Sequence, residues 1–222
     1  MVTLTQWTEV GTGRCPTPIR LWHAGTMQSV DGLLSPPHLF SRAEVAGRPC
    51  PIPATGGVYA WYFTAIPPGV PVVGCHEIGG ASLLYVGISP KEPPKNGRPP
   101  SKATLRSRIG YHYRGNAEGS TLRLTLGCLL TQQLGISLRR VGSGSRLTFS
   151  DGESALSEWM GRHAYVCWVP SEKPWLLEHE LIAKYRFPLN LDQNKDSVFH
   201  SELSVIRGAQ RAKAKSLPVL PR

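Results

Sequence analysis

Gly57-Val58-Tyr59-Ala60-Trp61-Tyr62-Phe63 and Leu83-Leu84-Tyr85-Val86-Gly87-Ile88 decide how this chain is read. Both runs are rich in β-branched and aromatic residues, the composition of strands with a buried face. Between them lie Pro67-Pro68-Gly69, Pro71 and Gly79-Gly80, so a long excursion joins the strands instead of a tight hairpin. Side chains alternate along a strand. Tyr59, Trp61 and Phe63 therefore share one face, and Val58, Ala60 and Tyr62 the other, with Tyr62 the core tyrosine. By the same alternation Tyr85 goes with Leu83 and Gly87. Antiparallel pairing then brings Tyr59 and Tyr85 near each other, and Gly87 leaves space beside them.

Outward from these strands, residues 1–55 are rich in Pro and Gly, but Trp7, Trp22 and Phe40 are too apolar for a disordered tail. They predict an arm packed on the domain, with a capping box at Ser41-x-x-Glu44. Residues 89–101 form a loop whose Lys91, Lys95 and Arg98 read as solvated charges. Helices are predicted over Lys102–Arg114 (capped by Ser101), Leu122–Leu134 and Ser154–His163. Ala164–Val169 reads as a third strand, ended by Pro170. A helix over Trp175–Arg186 is stopped by Pro188, and a last one spans about Ser201–Lys215. The fold class is α+β: a small three-stranded antiparallel sheet flanked by helices. A domain at 56–196 carries a helical insertion at about 115–163, and 197–222 is a basic C-terminal extension.

The chain has 222 residues and a net charge of +10, which favours a polyanionic partner, most simply nucleic acid. A ribosome-associated or membrane-surface protein has the same balance, so charge alone does not decide. Five cysteines with no Cys-x-x-Cys pair argue against a disulfide framework and for reduced thiols. Zinc held by Cys75 and His76 is a minor alternative. Met1-Val2-Thr3-Leu4 has neither a basic start nor an apolar run, and no segment reaches membrane-spanning length. These features predict a cytoplasmic protein with no membrane partner.

The chemistry-bearing residues sit on separate elements. On the helix around Trp175–Arg186, at about 100° per residue, Leu177, Leu181, Ile182 and Tyr185 form an apolar stripe. Glu178 falls inside the stripe and Glu180 points away from it. A carboxylate on a core-facing stripe needs compensation, either a bound cation or a buried arginine. Arg108 and His112 share a face at i, i+4, beside the core-like Leu105 and Ile109. They suit a phosphate and its attacking water. Surface charge for Arg108 and a satisfied, half-buried imidazole for His112 are the plainer readings. Lys102 and Arg106 share another face and are assigned to backbone phosphates, with Arg114, Arg207 and Arg211 as further nucleic-acid contacts.

Taken in order, Gly57-Val58-Tyr59, Tyr85-Val86-Gly87, Leu105-x-x-Arg108 and the Leu176–Asn190 stretch carrying Glu178 resemble the GIY-YIG nucleases. The last stretch is similar to the glutamate helix of the excision-repair nuclease subunit, down to the Asn twelve residues after the Glu. The resemblance covers roughly Gly57 to Asn194. It implies phosphodiester hydrolysis with one divalent cation, Mg²⁺ or Mn²⁺, held by Glu178 as the sole protein carboxylate. It places Tyr59, Tyr85 and Arg108 in the active site, with His112 one turn after the arginine, as in several homing and restriction members. Asn190 braces the site, and Asn194 competes for that role. Many members carry a Lys three residues after the second motif's Tyr, where this chain has Ile88. That leaves the general base open between Tyr59 and His112.

The elements beyond a minimal nuclease module suit a stand-alone, restriction- or defence-like DNA endonuclease, a homodimer if it cuts both strands. A repair or single-strand nuclease, and a catalytically silent nucleic-acid binder, are the alternatives. DNA is favoured over RNA without a residue that decides it.

Overall fold

A computed structural model describes residues 30–96 and 98–221. In chain order the elements are α1 (Asp31–Leu34), α2 (Arg42–Ala46), β1 (Gly57–Phe63), β2 (Glu77–Ile78), β3 (Ala81–Ser89), α3 (Leu105–Arg114), α4 (Thr121–Leu129), α5 (Thr131–Leu134), β4 (Arg139–Val141), β5 (Arg146–Thr148), α6 (Gly152–His163), β6 (Ala164–Pro170), α7 (Pro174–Lys184) and α8 (His200–Ser216). The main sheet is antiparallel in the order β2-β3-β1-β6, and β4 and β5 pair separately. The α+β class is as expected, with one difference. Glu77–Ile78 adds a two-residue edge strand on Ala81 and Ser82, turned through Gly79 and Gly80, both at positive φ.

β1 is the central strand, and all seven of its residues are buried. Tyr59, Trp61 and Phe63 enter a core shared with α3, α4 and α6. Val58, Ala60 and Tyr62 face a second core containing Leu33, Leu181 and Phe187. Tyr62 donates its hydroxyl to the Leu33 carbonyl at 2.8 Å, a core tyrosine as its register implies.

Strict alternation fails in β3. Its pairing with β1 shifts between Trp61 and Tyr62, where Leu84 is the extra residue. Leu83 lies in the second core, while Leu84 and Tyr85 both lie in the first. Tyr85 therefore does not share Leu83's face. A β-bulge moves one residue out of step, and this one turns the phenol toward Tyr59.

The helix after the loop begins at Leu105, not Lys102. Thr104 accepts from the Ser107 amide and Ser107 Oγ accepts from the Thr104 amide at 2.9 Å, a reciprocal cap that outcompetes Ser101. Lys102 thus precedes the helix and shares no helical face with Arg106. The 115–163 segment is not wholly helical, because β4 and β5 form a hairpin within it, turned by Gly142 and Gly144 at positive φ. The stretch 122–134 is two helices, broken at Leu130.

The described part of the first 55 residues lies against the domain. Leu33 and Ile52 are fully buried, and Ser41 and Glu44 form the predicted capping box. Phe40 bridges to Val166 beside β6. Trp7 and Trp22 lie outside the described residues. At the other end, α8 packs on α4, and Arg140 Nη2 donates to the Leu217 carbonyl at 2.8 Å. No described helix is long and apolar enough to cross a membrane.

Candidate active site

Tyr59 and Gly87 are direct cross-strand partners. A Cβ on Gly87 would lie 2.5 Å from the Tyr59 hydroxyl oxygen, so the absent side chain is what lets the phenol lie across β3. Gly87→Ala should displace that ring. We expect a loss of about 100-fold or more in turnover, against a stability cost of roughly 1–3 kcal/mol, the range for overpacking. Thermal melts and initial rates on one preparation check this.

His112 is fully buried behind Tyr59. The Tyr59 hydroxyl and His112 Nε2 are 2.8 Å apart, and His112 Nδ1 lies 2.7 Å from Ser120 Oγ. Burial first, then the nearby Arg108 and Arg123 guanidinium groups, holds the imidazole well below its usual pKa and therefore neutral. Burial likewise raises the pKa of Tyr59, reinforced by Tyr85 and opposed by Arg108. Tyr85, also raised by burial, lies 3.2 Å from Thr121 Oγ1 at the start of α4.

The turn of α3 that carries His112 is fixed by a buried arginine the sequence reading did not single out. Arg123 is wholly buried; its Nη1 donates to the His112 carbonyl at 3.2 Å and to Ser157 Oγ at 3.0 Å. Its Nε donates to Glu153 Oε2 at 3.0 Å, and Glu153 Oε1 accepts from the amides of Ala117 and Phe149. Every charge in this cluster has a partner, as burial demands. One turn before His112, Arg108 is half-buried and donates through Nη1 to the Gly119 carbonyl at 2.7 Å.

Pro174 opens α7, where its missing N–H costs nothing. Leu181 is buried, and Leu177, Ile182 and Tyr185 pack against the second core. Glu180 pairs outward with Lys184 at 2.7 Å, as its position off the stripe implied. Glu178 is half-buried and takes part in none of the ion pairs among the described residues, so no buried arginine compensates it. Burial pushes its carboxyl up to about 7, against Lys91 and helped by Asp192.

Past α7 the chain returns to the sheet. Asn190 Oδ1 accepts from the Val86 amide at 3.0 Å and Asn190 Nδ2 donates to the Val86 carbonyl at 2.8 Å. β2 covers only Ala81 and Ser82, so this side chain satisfies a β3 edge that has no strand beside it. Asn194 instead ties its own loop together, donating to the carbonyls of Phe187 and Asn190.

Tyr59, Tyr85, Arg108, Glu178 and Asn190 all line one cavity of about 300 Å³, with Lys91, Thr121, Asp192 and Arg207. His112 does not line it but hydrogen-bonds Tyr59 and packs edge-on against Tyr85, both of which do. Lys91, expected to be a solvated loop charge, lies at the cavity. A lysine therefore reaches this site although residue 88 is Ile. Arg106 lines no part of the cavity, and its Nε donates to the Ile52 carbonyl at 2.7 Å. Lys102 and Arg114 are exposed and line no part of the cavity. Arg211 lines an adjoining groove.

The donor set fits one kind of cation. Among the described residues no three His, Cys, Asp or Glu side chains cluster as a metal cage. His76 Nε2 bonds the Leu34 carbonyl, and the Cys75 thiol points to the Pro71 carbonyl. Glu178 shares the cavity with the carboxylates of Glu92 and Asp192, a set of hard oxygen donors that suits a hard divalent ion keeping most of its waters.

A family model described as the GIY-YIG catalytic domain matches residues 57–211. No curated protein and no solved structure gives a significant match.

Proposed function

This chain belongs to the GIY-YIG nuclease family, and from that premise we propose that it is a divalent-metal-dependent DNA endonuclease that hydrolyses phosphodiester bonds. The observation that carries the reading is the meeting of Tyr59, Tyr85, Arg108 and Glu178, from four separate elements, around one cavity. Glu178 would hold the cation, which when bound supplies Lewis-acid stabilisation of the phosphate.

The residues of the chain do the rest. Arg108 faces the cavity and offsets charge that builds on the scissile phosphate. Tyr59 is the cavity-facing base. It takes a proton from the attacking water as its own hydroxyl proton shifts to His112 Nε2, and because burial and the two guanidinium groups favour the neutral ring, the imidazole returns that proton to Tyr59 as the product leaves. We assign the tautomer with the proton on His112 Nδ1, donated to Ser120, which leaves Nε2 free to accept. His112 is thus a proton acceptor behind the base and not a group that meets water. Tyr85, anchored by Thr121, orients the water, and Asn190 fixes the strand beneath.

The 115–163 insertion and α8 surround the small core with further surface, which supports a stand-alone, restriction- or defence-like enzyme. An enzyme cutting both strands of a duplex would act as a homodimer, which sedimentation during cleavage reads directly. Purified protein incubated with plasmid, duplex and single-stranded DNA and RNA, in Mg²⁺, Mn²⁺ or chelator, tests the reading. Metal-dependent cleavage of plasmid is the expected result, and no cleavage of any substrate in either metal overturns it.

Glu178 gives a second, activity-free test. Its folded pKa of about 7 lies above the ordinary carboxyl value of 4.5. Between these values the folded chain holds a proton that the unfolded chain has lost. Metal-free stability therefore falls as pH rises through this window. A cation competes with that proton, so Mg²⁺ should raise the melting temperature clearly at pH 8 and little at pH 5.5. Equal shifts at both pH values would contradict it.

A further inference from the structure

Arg207 is a buried charged side chain, only 8% exposed, with no ion-pair partner among the described residues. A guanidinium carries five N–H donors. Here Nη1 makes a long contact of 3.4 Å to Thr125 Oγ1, and the buried Nε has no hydrogen-bond partner at all. Arg123, wholly buried, shows what a structural arginine in this protein looks like, with its carboxylate and four further acceptors. An unpaired buried cation is costly unless an anion arrives to meet it.

The place of Arg207 says where that anion comes from. Its side chain lines both the cavity of Tyr59 and Glu178 and a second groove of about 520 Å³, which also share Leu191, Asp192 and Gln193. The second groove continues over Lys195, His200, Ser204 and Arg211. On α8, residues 200, 204, 207 and 211 recur at helical spacing and form one face. At about 1.5 Å per residue this face runs for roughly 16 Å. Three permanent cations, Lys195, Arg207 and Arg211, line the groove, against the single carboxylate of Asp192.

We propose that Arg207 binds the phosphate next to the scissile one, and that the nucleic-acid strand leaves the cavity along the His200–Arg211 face of α8. This rests on the nuclease reading for the identity of the anion, though not for the existence of the subsite. Arg207 is then a substrate-binding residue contributed by the last helix, and it makes α8 part of the active centre. A guanidinium held without an internal partner is preorganised for a phosphate, since no protein contact must break to receive it.

The test is binding of a fluorescein-labelled 20-base-pair DNA duplex in chelator, followed by anisotropy over a range of salt concentrations. Each lost phosphate contact lowers the slope of log K against log salt by about 0.9. Arg207→Gln and Arg211→Ala should each lose about that much slope and weaken binding roughly tenfold. Arg162→Ala, exposed on a remote groove beside α6, should change neither. An unchanged slope for Arg207→Gln with a lowered melting temperature would overturn the proposal and make the residue a packing element. If Arg207→Gln does not fold, an unchanged slope for the exposed Arg211→Ala overturns the path along α8. Wild-type protein that cleaves nothing in either Mg²⁺ or Mn²⁺ yet shows these slope losses would sink the nuclease reading and leave the subsite standing. Cleavage with unchanged slopes would do the reverse.

Discussion

Glu178→Gln should reduce metal-dependent cleavage by about a thousandfold or more, while duplex binding in chelator stays within a factor of about two of wild type. The proposed Lewis-acid contribution is worth several kcal/mol, and about 4 kcal/mol corresponds to a thousandfold. Gln keeps the size of the side chain and loses only the charge. Glu178 enters no ion pair among the described residues, so nothing is orphaned by the change. Without metal at pH 8 the wild type holds an ionised carboxylate in a half-buried site where burial lifts the pKa to about 7. The variant should therefore melt at or above the wild-type temperature in chelator, and Mg²⁺ should no longer raise it. Loss of activity together with a lower melting temperature would instead mark Glu178 as structural. Rates, anisotropy and melts on the same two proteins separate the outcomes.

Tyr59→Phe should cost roughly 10²–10⁴-fold in turnover, the range for losing a positioned acid–base group. The ring still fills its place over Gly87, so the fold is retained. His112 Nε2 loses the hydroxyl 2.8 Å away, and an orphaned buried polar atom costs about 1–3 kcal/mol. If phenol and imidazole act as one unit, removing both adds little to removing one. Tyr59→Phe combined with His112→Ala should thus be barely slower than the worse single variant. Multiplying losses would assign the two groups independent roles, with His112 meeting water by itself.

What the sequence disclosed, it disclosed through periodicity and local chemistry. The two strands follow from β-branched and aromatic runs, and the different fates of Glu178 and Glu180 follow from 3.6-residue spacing on α7. Ser41 and Glu44 announce their capping box in four residues. The misses have equally local causes. Alternation could not reveal the bulge at Leu84, because an extra residue in one strand shows only against its partner. Lys102 was placed on a helix because Ser101 competes with Thr104 as a cap, and only the reciprocal bond to Ser107 decides between them. Lys91 sits in a loop with no period, and its approach to the cavity depends on where that loop folds back. Arg123 and Arg207 look alike in sequence, each a basic residue in an otherwise apolar helical turn. Only long-range contacts show that Glu153 neutralises the first and that the second has no such partner.

The general base, open between Tyr59 and His112 on sequence, is narrowed by position. Tyr59 lines the cavity and His112 lies wholly buried behind it. The two are linked by one hydrogen bond, so the proposed division of labour follows from which of them a water can touch.

Paramagnetic broadening by Mn²⁺ in protein labelled with ¹³C on its tyrosine rings tests the shared pocket most directly. The account predicts that substoichiometric Mn²⁺ broadens the Tyr59 and Tyr85 ring signals most strongly, and spares Tyr62 in the opposite core far longer. It also predicts that Glu178→Gln abolishes the selectivity. Broadening centred on other tyrosines, or the same selective pattern surviving in Glu178→Gln, would contradict the claim that these residues surround one carboxylate-held cation.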